Sequence, residues 1–138
     1  MWGSLDISTS GMIAQRTRLD VIAANLANRD TLVNARGEYD PYRKRVVHFA
    51  AGDPGATSPA GRWLGVHVAA IEIDEDALRR KYDPDSPFAD ADGYVDVPDI
   101  DSVTEQVNAM AAARAYEANV VAAEAIKSTM AQALRLLA

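Results

Sequence analysis

The chain has no cysteine among its 138 residues and only two histidines. That composition excludes disulfide frameworks, thiol nucleophiles, iron–sulfur clusters and cysteine-based zinc sites. No run of residues approaches the ~18 consecutive apolar side chains of a membrane span. The opening Met1-Trp2-Gly3-Ser4-Leu5-Asp6 lacks the basic and uninterrupted apolar regions of a cleaved export signal. The expectation is a soluble chain that would leave the cytoplasm, if it does, without signal cleavage. Basic residues are also in short supply: 14 Lys plus Arg stand against 20 Asp plus Glu, for a formal charge of -6 and a pI near 4.8. Broad electrostatic binding to DNA or to anionic lipid needs the opposite balance, so neither a nucleic-acid partner nor direct lipid binding is expected.

Proline is missing from both ends. All six prolines, with six of the eight glycines, lie between residues 29 and 101. The chain therefore divides into three units: an N-terminal helix within 1–30, a loop-containing β-rich insertion over 31–101, and a C-terminal helix over 102–138. In the first unit Leu5, Met12, Leu19 and Leu26 recur at sevenfold spacing, with Ile22 one turn before Leu26. That is the period of one helix face used in helix-to-helix seams. Ser4 is the expected N-cap. Gly11 and the polar seam positions Ser8 and Gln15 weaken the helix, the glycine by about 1 kcal/mol relative to alanine.

The last unit carries twelve alanines and no glycine or proline, a composition that favours helix throughout. Asp101 or Ser102 is placed to cap it, with Glu105 at capping-box distance from the serine. Steps of three and four connect Ala109, Ala112, Tyr116, Asn119, Ala123, Ile126, Met130, Ala133 and Leu137, a small-residue seam that permits close helix approach. Val103, Val107, Val120, Val121 and Leu134 lie beside it, and open apolar flanks on a long rod imply neighbours. In the middle, β-branched residues predict strands over 44–49, 64–73, 78–82 and 94–97. A phase shift after Ala70 predicts a bulge or a bend, and residues 52–61 read as an exposed loop turned by Asp53-Pro54-Gly55. The fold class is α+β: long N- and C-terminal α-helices packed as a coiled-coil-like pair, with a small β-rich insertion between them.

Searching for chemistry finds little. His48 and His67 lie on different strands without a second imidazole at ligand spacing. Residues 83–93 are acidic, but a calcium loop with Gly93 at its sixth position would put Phe88 at its first; a solvated loop is the better reading. Glu72, Asp74, Glu75 and Asp76, flanked by Arg79, Arg80 and Lys81, read as a charged strand edge. No nucleophile elbow, P-loop or dinucleotide fingerprint occurs. No catalytic, cofactor or metal role is assigned. The basic run Arg43-Lys44-Arg45 could face the acidic stretch 51–101 of another subunit, which holds twelve acids against four bases.

The N-terminal residues Ser8-Thr9-Ser10-Gly11-Met12-Ile13-Ala14-Gln15-Arg16, then Arg18-Leu19-Asp20-Val21-Ile22-Ala23-Ala24-Asn25-Leu26-Ala27-Asn28, resemble the signature of bacterial flagellar axial proteins. Ala113-Arg114-Ala115-Tyr116-Glu117-Ala118-Asn119 followed by Lys127 is similar to their C-terminal helix. The chain length, Pro41-Tyr42-Arg43, and the pattern from Tyr82 through Pro84, Pro87, Ala89, Gly93, Tyr94 and Val95 to Pro98 most resemble the proximal-rod members of the basal-body rod family. Arg29, Asp30 and Gln106 depart from the pattern.

The resemblance implies a non-enzymatic subunit of the basal-body rod, a hollow drive shaft that transmits torque and conducts exported subunits. It implies export through the flagellar type III apparatus without signal cleavage, a periplasmic location, and terminal regions that order on assembly. Implied partners are further copies of the chain, neighbouring rod subunits, the export apparatus and the membrane-ring junction of the basal body. The expected assembly interface comprises Leu5, Met12, Leu19, Ile22, Asn25, Leu26 and Asn28 of the first helix, with Tyr116, Asn119, Ile126, Met130 and Leu137 of the last. Asn28 is a candidate C-cap of the first helix and Asn25 a candidate interhelical hydrogen-bond partner, with capping the plainer expectation. The rival reading is a soluble coiled-coil adaptor or chaperone that binds a partner helix in its own groove.

Overall fold

The computed structural model describes residues 2–137; Met1 and Ala138, at the outer limits of the two predicted terminal units, lie outside the described residues. In chain order the elements are α1 (Trp2–Ala27), β1 (Arg45–Ala51), α2 (Pro59–Leu64), β2 (Val66–Ile73), β3 (Leu78–Tyr82), β4 (Tyr94–Pro98) and α3 (Ser102–Leu137). The class is α+β, with the two long helices packed on each other. Gly11 faces Asn119 and Asn25 bonds Glu105. These contacts are fourteen residues apart on both helices, so α1 and α3 run antiparallel in straight register. At 1.5 Å per residue, α3 exceeds α1 by roughly 15 Å.

α1 is already helical at Trp2, and Ser4 lies inside it as the acceptor of the Ser8 hydroxyl at 3.3 Å, so the expected Ser4 cap does not form. At α3 the cap is Asp101, whose carboxylate accepts the amides of Val103 and Thr104 at 3.3 and 3.2 Å. That choice puts Thr104, not Glu105, at the capping-box position. Glu105 falls one residue further on, where its side chain turns inward. The Asp101 carboxyl is held below its ordinary range, first by the Thr104 hydroxyl and then by the two amides.

The insertion forms two separate antiparallel ribbons, β1 with β2 and β3 with β4. Of the bulge or bend expected, the bulge occurs: His48 pairs Ala70 and Phe49 pairs Val68, leaving Ala69 as the extra residue. The segment expected to be loop through Gly61, and strand from Leu64, instead contains α2. Its reason is local: Ser58 caps through its hydroxyl to the Gly61 amide at 3.1 Å, and Pro59 occupies the first turn. Gly52, with φ +84°, brings its amide to the Gly65 carbonyl at 2.7 Å and closes the excursion. The second ribbon is held by Tyr39. Its ring stacks on Phe88 with centroids 4.9 Å apart, and its hydroxyl both donates to the Asp96 carbonyl at 2.8 Å and accepts the Asp96 amide at 3.0 Å.

The core is thin. Among the described residues nine apolar side chains are buried, and five of them are alanine; only Val21, Ile22, Val95 and Ile100 are larger. Nineteen large apolar side chains are exposed. The accessible surface is 9165 Å², whereas a folded monomer of this mass exposes about 7,000 Å². The surplus of about 2,000 Å² exceeds the ~800 Å² that each partner contributes to a standard interface.

Tyr39→Phe keeps the stack and removes both hydroxyl contacts with Asp96. Urea unfolding is expected to show a loss of about 1 to 2 kcal/mol; an unchanged midpoint would remove Tyr39 as the fastener of the second ribbon.

Candidate assembly interface

The helix pair is joined by a buried polar cluster at one end. Asn25, 1% exposed, donates from Nδ2 to the Arg45 carbonyl at 2.9 Å and to Glu105 Oε2 at 3.3 Å. Its Oδ1 accepts the Arg45 amide at 3.0 Å and the Tyr42 hydroxyl at 3.0 Å. All four hydrogen-bonding positions of the amide are thereby used. Glu105, 2% exposed, pairs through Oε1 with Lys44 Nζ at 2.8 Å. Burial pushes the Tyr42 hydroxyl above its ordinary range, with Arg45 opposing and Glu105 adding, so Tyr42 remains a donor. One side chain of α1 thus holds α3 and the start of β1 together.

The same arrangement consumes charges expected to serve elsewhere. Lys44 is paired with Glu105, and Arg43 lies 2.9 Å from Asp40 and 3.0 Å from Glu75. Two of the three residues in the basic run are paired within the chain, which leaves less of that run for another subunit's acids. Net charge is segregated as well. Residues 28–101 hold fifteen acids and nine bases, whereas α1 and α3 are each balanced. Neither long helix carries a net charge that would repel a second copy of itself.

Further along the seam, α1 presents small residues. A Cβ on Gly11 would lie 2.7 Å from Asn119 Oδ1, so any larger residue would displace the Asn119 side chain from its present place. Asn119 satisfies its own Nδ2 at the Ala115 carbonyl, 2.8 Å away. Ala14, Ala112 and Ala123 are buried along this line with Val21 and Ile22. The expected heptad of Leu5, Met12, Leu19 and Leu26 is rotated roughly a third of a turn from it, and all four are half-buried. Close backbone approach selects Gly and Ala for the centre and displaces larger side chains to the flank.

The other expected interface residues divide by burial. Ile22 and Asn25 are enclosed within the chain, so they act through the intrachain pair rather than at an open face. Asn28 is half-buried and caps α1: its Nδ2 donates to the Ala24 carbonyl at 2.9 Å. Tyr116, Asn119, Ile126 and Met130 are half-buried on the α1-facing side of α3. Leu137 is 86% exposed, because α3 runs past the start of α1 and nothing described covers its last turns. Gln15 Oε1 is buried without a hydrogen-bond partner, a destabilising feature in a lone chain.

Two features, Glu105 and α2, escape a linear reading, and a third, the apolar flank of α3, proves more sharply separated from the seam than expected. Stepping three and four residues back from Ala109 reaches Glu105, so its inward phase was visible in the period, but the polar side chain hid it. Val103, Val107, Met110 and Val121 are exposed and lie half a helical turn away from Ala112 and Ala123; α3 therefore carries two apolar stripes on opposite faces. Finally, α2 is bolted to α1. Asp6 Oδ2 accepts the Ser58 amide at 3.0 Å and the Thr57 hydroxyl at 3.3 Å, and Ser10 Oγ accepts the Val66 amide at 3.1 Å. Hydrogen bonding from Ser58, and then Thr57, holds the Asp6 carboxyl below its ordinary value of 3.8. This contribution is present above that value and is lost as acid titrates Asp6 through its lower folded pKa.

Of the two histidines, His48 lies 2.9 Å from Glu72 across the first ribbon and His67 Nδ1 lies 2.6 Å from the Gly52 carbonyl. No group of three or more His, Asp or Glu able to hold a metal occurs among the described residues. No described helix is long and apolar enough to cross a membrane.

Comparison with known proteins matches both ends of the chain. A family model described as "Flagella basal body rod protein" matches residues 5–32, and one described as "Flagellar basal body rod FlgEFG protein C-terminal" matches residues 91–136. The flagellar basal-body rod protein FlgC of Bacillus subtilis is 36% identical over 96% of this chain and 95% of its own length. The protein of the same name from Salmonella typhimurium is 40% identical over 95% and 93%, and that of Borreliella burgdorferi is 37% identical over 99% and 97%.

Glu105→Ala leaves the Lys44 ammonium without its buried partner and one Asn25 N–H unsatisfied. A loss of about 3 to 5 kcal/mol is expected, read as faster amide hydrogen exchange at the end of α1 and the start of β1. Glu105→Gln, which keeps a partner for Asn25, should lose less; equal losses would show that the ion pair alone matters.

Proposed function

Since the chain belongs to the FlgC group of the flagellar basal-body rod protein family, we propose that its two terminal helices polymerise side by side with those of neighbouring subunits into the proximal rod. The protein is a structural subunit, not an enzyme. In this reading residues 1–30 and 102–138 form the axial wall, and the acidic insertion over 31–101 is carried outside it. Export without a cleaved signal delivers the chain to the periplasmic part of the basal body, where it meets copies of itself, other rod subunits and the membrane-ring junction.

The observation that carries this reading is the second apolar stripe of α3. A helix that packs on one partner needs one stripe, and α3 has two, within a chain exposing about 2,000 Å² more than a monomer of its mass. Torque transmission asks for interfaces that resist sliding. Interdigitated flanking residues such as Leu19 and Leu26, each worth about 1.5 to 3 kcal/mol when fully buried, suit that demand. The seam near Gly11, lacking a polar lock, is the part whose order depends most on neighbours.

Leu19→Asp is expected to abolish incorporation into rods and swimming motility while the chain is still produced and exported; normal rods would contradict the assignment. Sedimentation of the isolated chain is expected to give a monomer. A discrete folded oligomer in dilute solution would favour a coiled-coil adaptor or chaperone.

A further inference from the structure

The short helix α2 has almost no support of its own. It is six residues long, and isolated helices below ~12 residues are marginal in water. Its buried residue is Gly61, while its two largest side chains, Trp63 and Leu64, are 80% and 69% exposed, so apolar burial contributes little to holding it. What holds it is α1. Asp6 Oδ2 accepts the Ser58 amide at the start of α2, and Ser10 Oγ accepts the Val66 amide just past its end. Between these ties the two helices approach closely: a Cβ on Gly3 would come within 2.5 Å of the Ala60 Cβ, and one on Gly61 within 2.9 Å of the Asp6 Cβ.

The first three turns of α1 have the reciprocal need. They contain Gly3, Ser4, Ser8, Thr9, Ser10 and Gly11, residues of modest or poor helix propensity, and they lie at the end of the helix furthest from the Asn25 cluster. The first ribbon reaches them. β1 starts where Asn25 grips Arg45, and at its other end Ala51 pairs with Val66, whose amide Ser10 holds. The strand covers roughly 20 Å between these points at ~3.3 Å per residue, and α1 covers roughly 22 Å between Asn25 and Ser10 at ~1.5 Å per residue. These matched spans lay the ribbon along α1 as a splint, tied at the buried cluster and again, through α2, at the first turns.

We propose that α2 and the first three turns of α1 form one cooperative folding unit, which acts as a conformational relay between the axial helix and the surface of the insertion over 57–65. The order of each is a condition of the other's. By linkage, whatever stabilises the helical form of α1 stabilises the surface bearing Trp63 and Leu64, and whatever binds that surface stabilises α1. The folding unit stands on contacts within the chain; its bearing on assembly rests on the polymer reading, in which neighbours order the Gly11 end of α1. A subunit then presents Trp63 and Leu64 on a formed α2 only once its axial helix is in place.

The test is amide hydrogen exchange in the isolated chain. The Arg62 and Gly65 amides report α2, because their acceptors are the Ser58 and Gly61 carbonyls and not groups of α1. Thr9 perturbs α1 alone: it is exposed, and its hydroxyl donates to the Leu5 carbonyl at 2.9 Å. Exchange at Arg62 and Gly65 is expected to be about fivefold faster in Thr9→Gly than in Thr9→Ala, the ratio set by helix propensity, with the amides of the second ribbon unchanged. In the other direction, Ser10→Ala favours helix locally but removes a tie to α2, and it is expected to speed exchange at the Ile7 to Gly11 amides about tenfold. Equal rates at Arg62 and Gly65 in the two Thr9 variants, unprotected Arg62 and Gly65 amides in the native chain, or unchanged or slower exchange in α1 of Ser10→Ala overturns the relay. Each of these outcomes is read on the isolated chain and leaves the polymer reading standing, which falls instead if the native chain is absent from basal bodies.

Discussion

The arrangement depends on a single buried amide. Asn25 uses both N–H groups and both lone pairs of its side chain, on Glu105 of α3, on Tyr42, and on the backbone of Arg45. An amide placed there is tolerated only because every position is answered; with one partner missing, the unsatisfied group would destabilise the fold by about 1 to 3 kcal/mol. The consequence is specificity of position. Apolar seams of alanine and valine slide at small energetic difference from one register to the next, but a one-turn slip of α1 would tear Asn25 from Glu105 and from β1 together. The lock thus sets the register in which Gly11 receives Asn119, and it fixes how the insertion leaves the helix pair.

Away from the lock the molecule is built for closeness instead of bulk. Five of its nine buried apolar residues are alanines, which bring backbones together but bury little area each. The larger residues that would fill a conventional core stand on the flanks of α1, on the far face of α3, and on α2. A chain organised this way has a defined shape and a small reserve of stability, with much of its apolar surface left exposed. Charge is divided the same way, with two neutral helices and an acidic insertion between them.

Much of this was legible in the residues, and the limits were specific. The two helices, the four strand segments, an irregularity in the second strand and the small-residue seam of α3 follow from composition and period, whereas the division of the strands into two separate ribbons does not. Leu5, Met12, Leu19 and Leu26 form the most regular apolar repeat of α1, but the centre of its contact with α3 belongs to Gly11 and Ala14, whose importance lies in what they lack, and the repeat stands half-buried on the flank. Glu105 has the right phase for the seam, but a carboxylate near a helix start reads equally well as a cap. α2 was hidden in a run of Pro, Gly and Ser that ordinarily means loop, and it exists because Ser58 caps it and Asp6 holds it from another element.

What the linear chain determined by itself is whatever depends on neighbours along the backbone: helix in the alanine-rich end, punctuation by proline and glycine in the middle, no thiol chemistry, and two signatures that mark the family. Tertiary structure alone decided which carboxylate became buried and which basic residue met it, which face of α1 touched α3, and that Trp63 was left outside. Those outcomes turn on distances between groups up to eighty residues apart in sequence. Periodicity specifies the face a residue occupies but not what stands opposite, and burial of a charge is settled by what stands opposite.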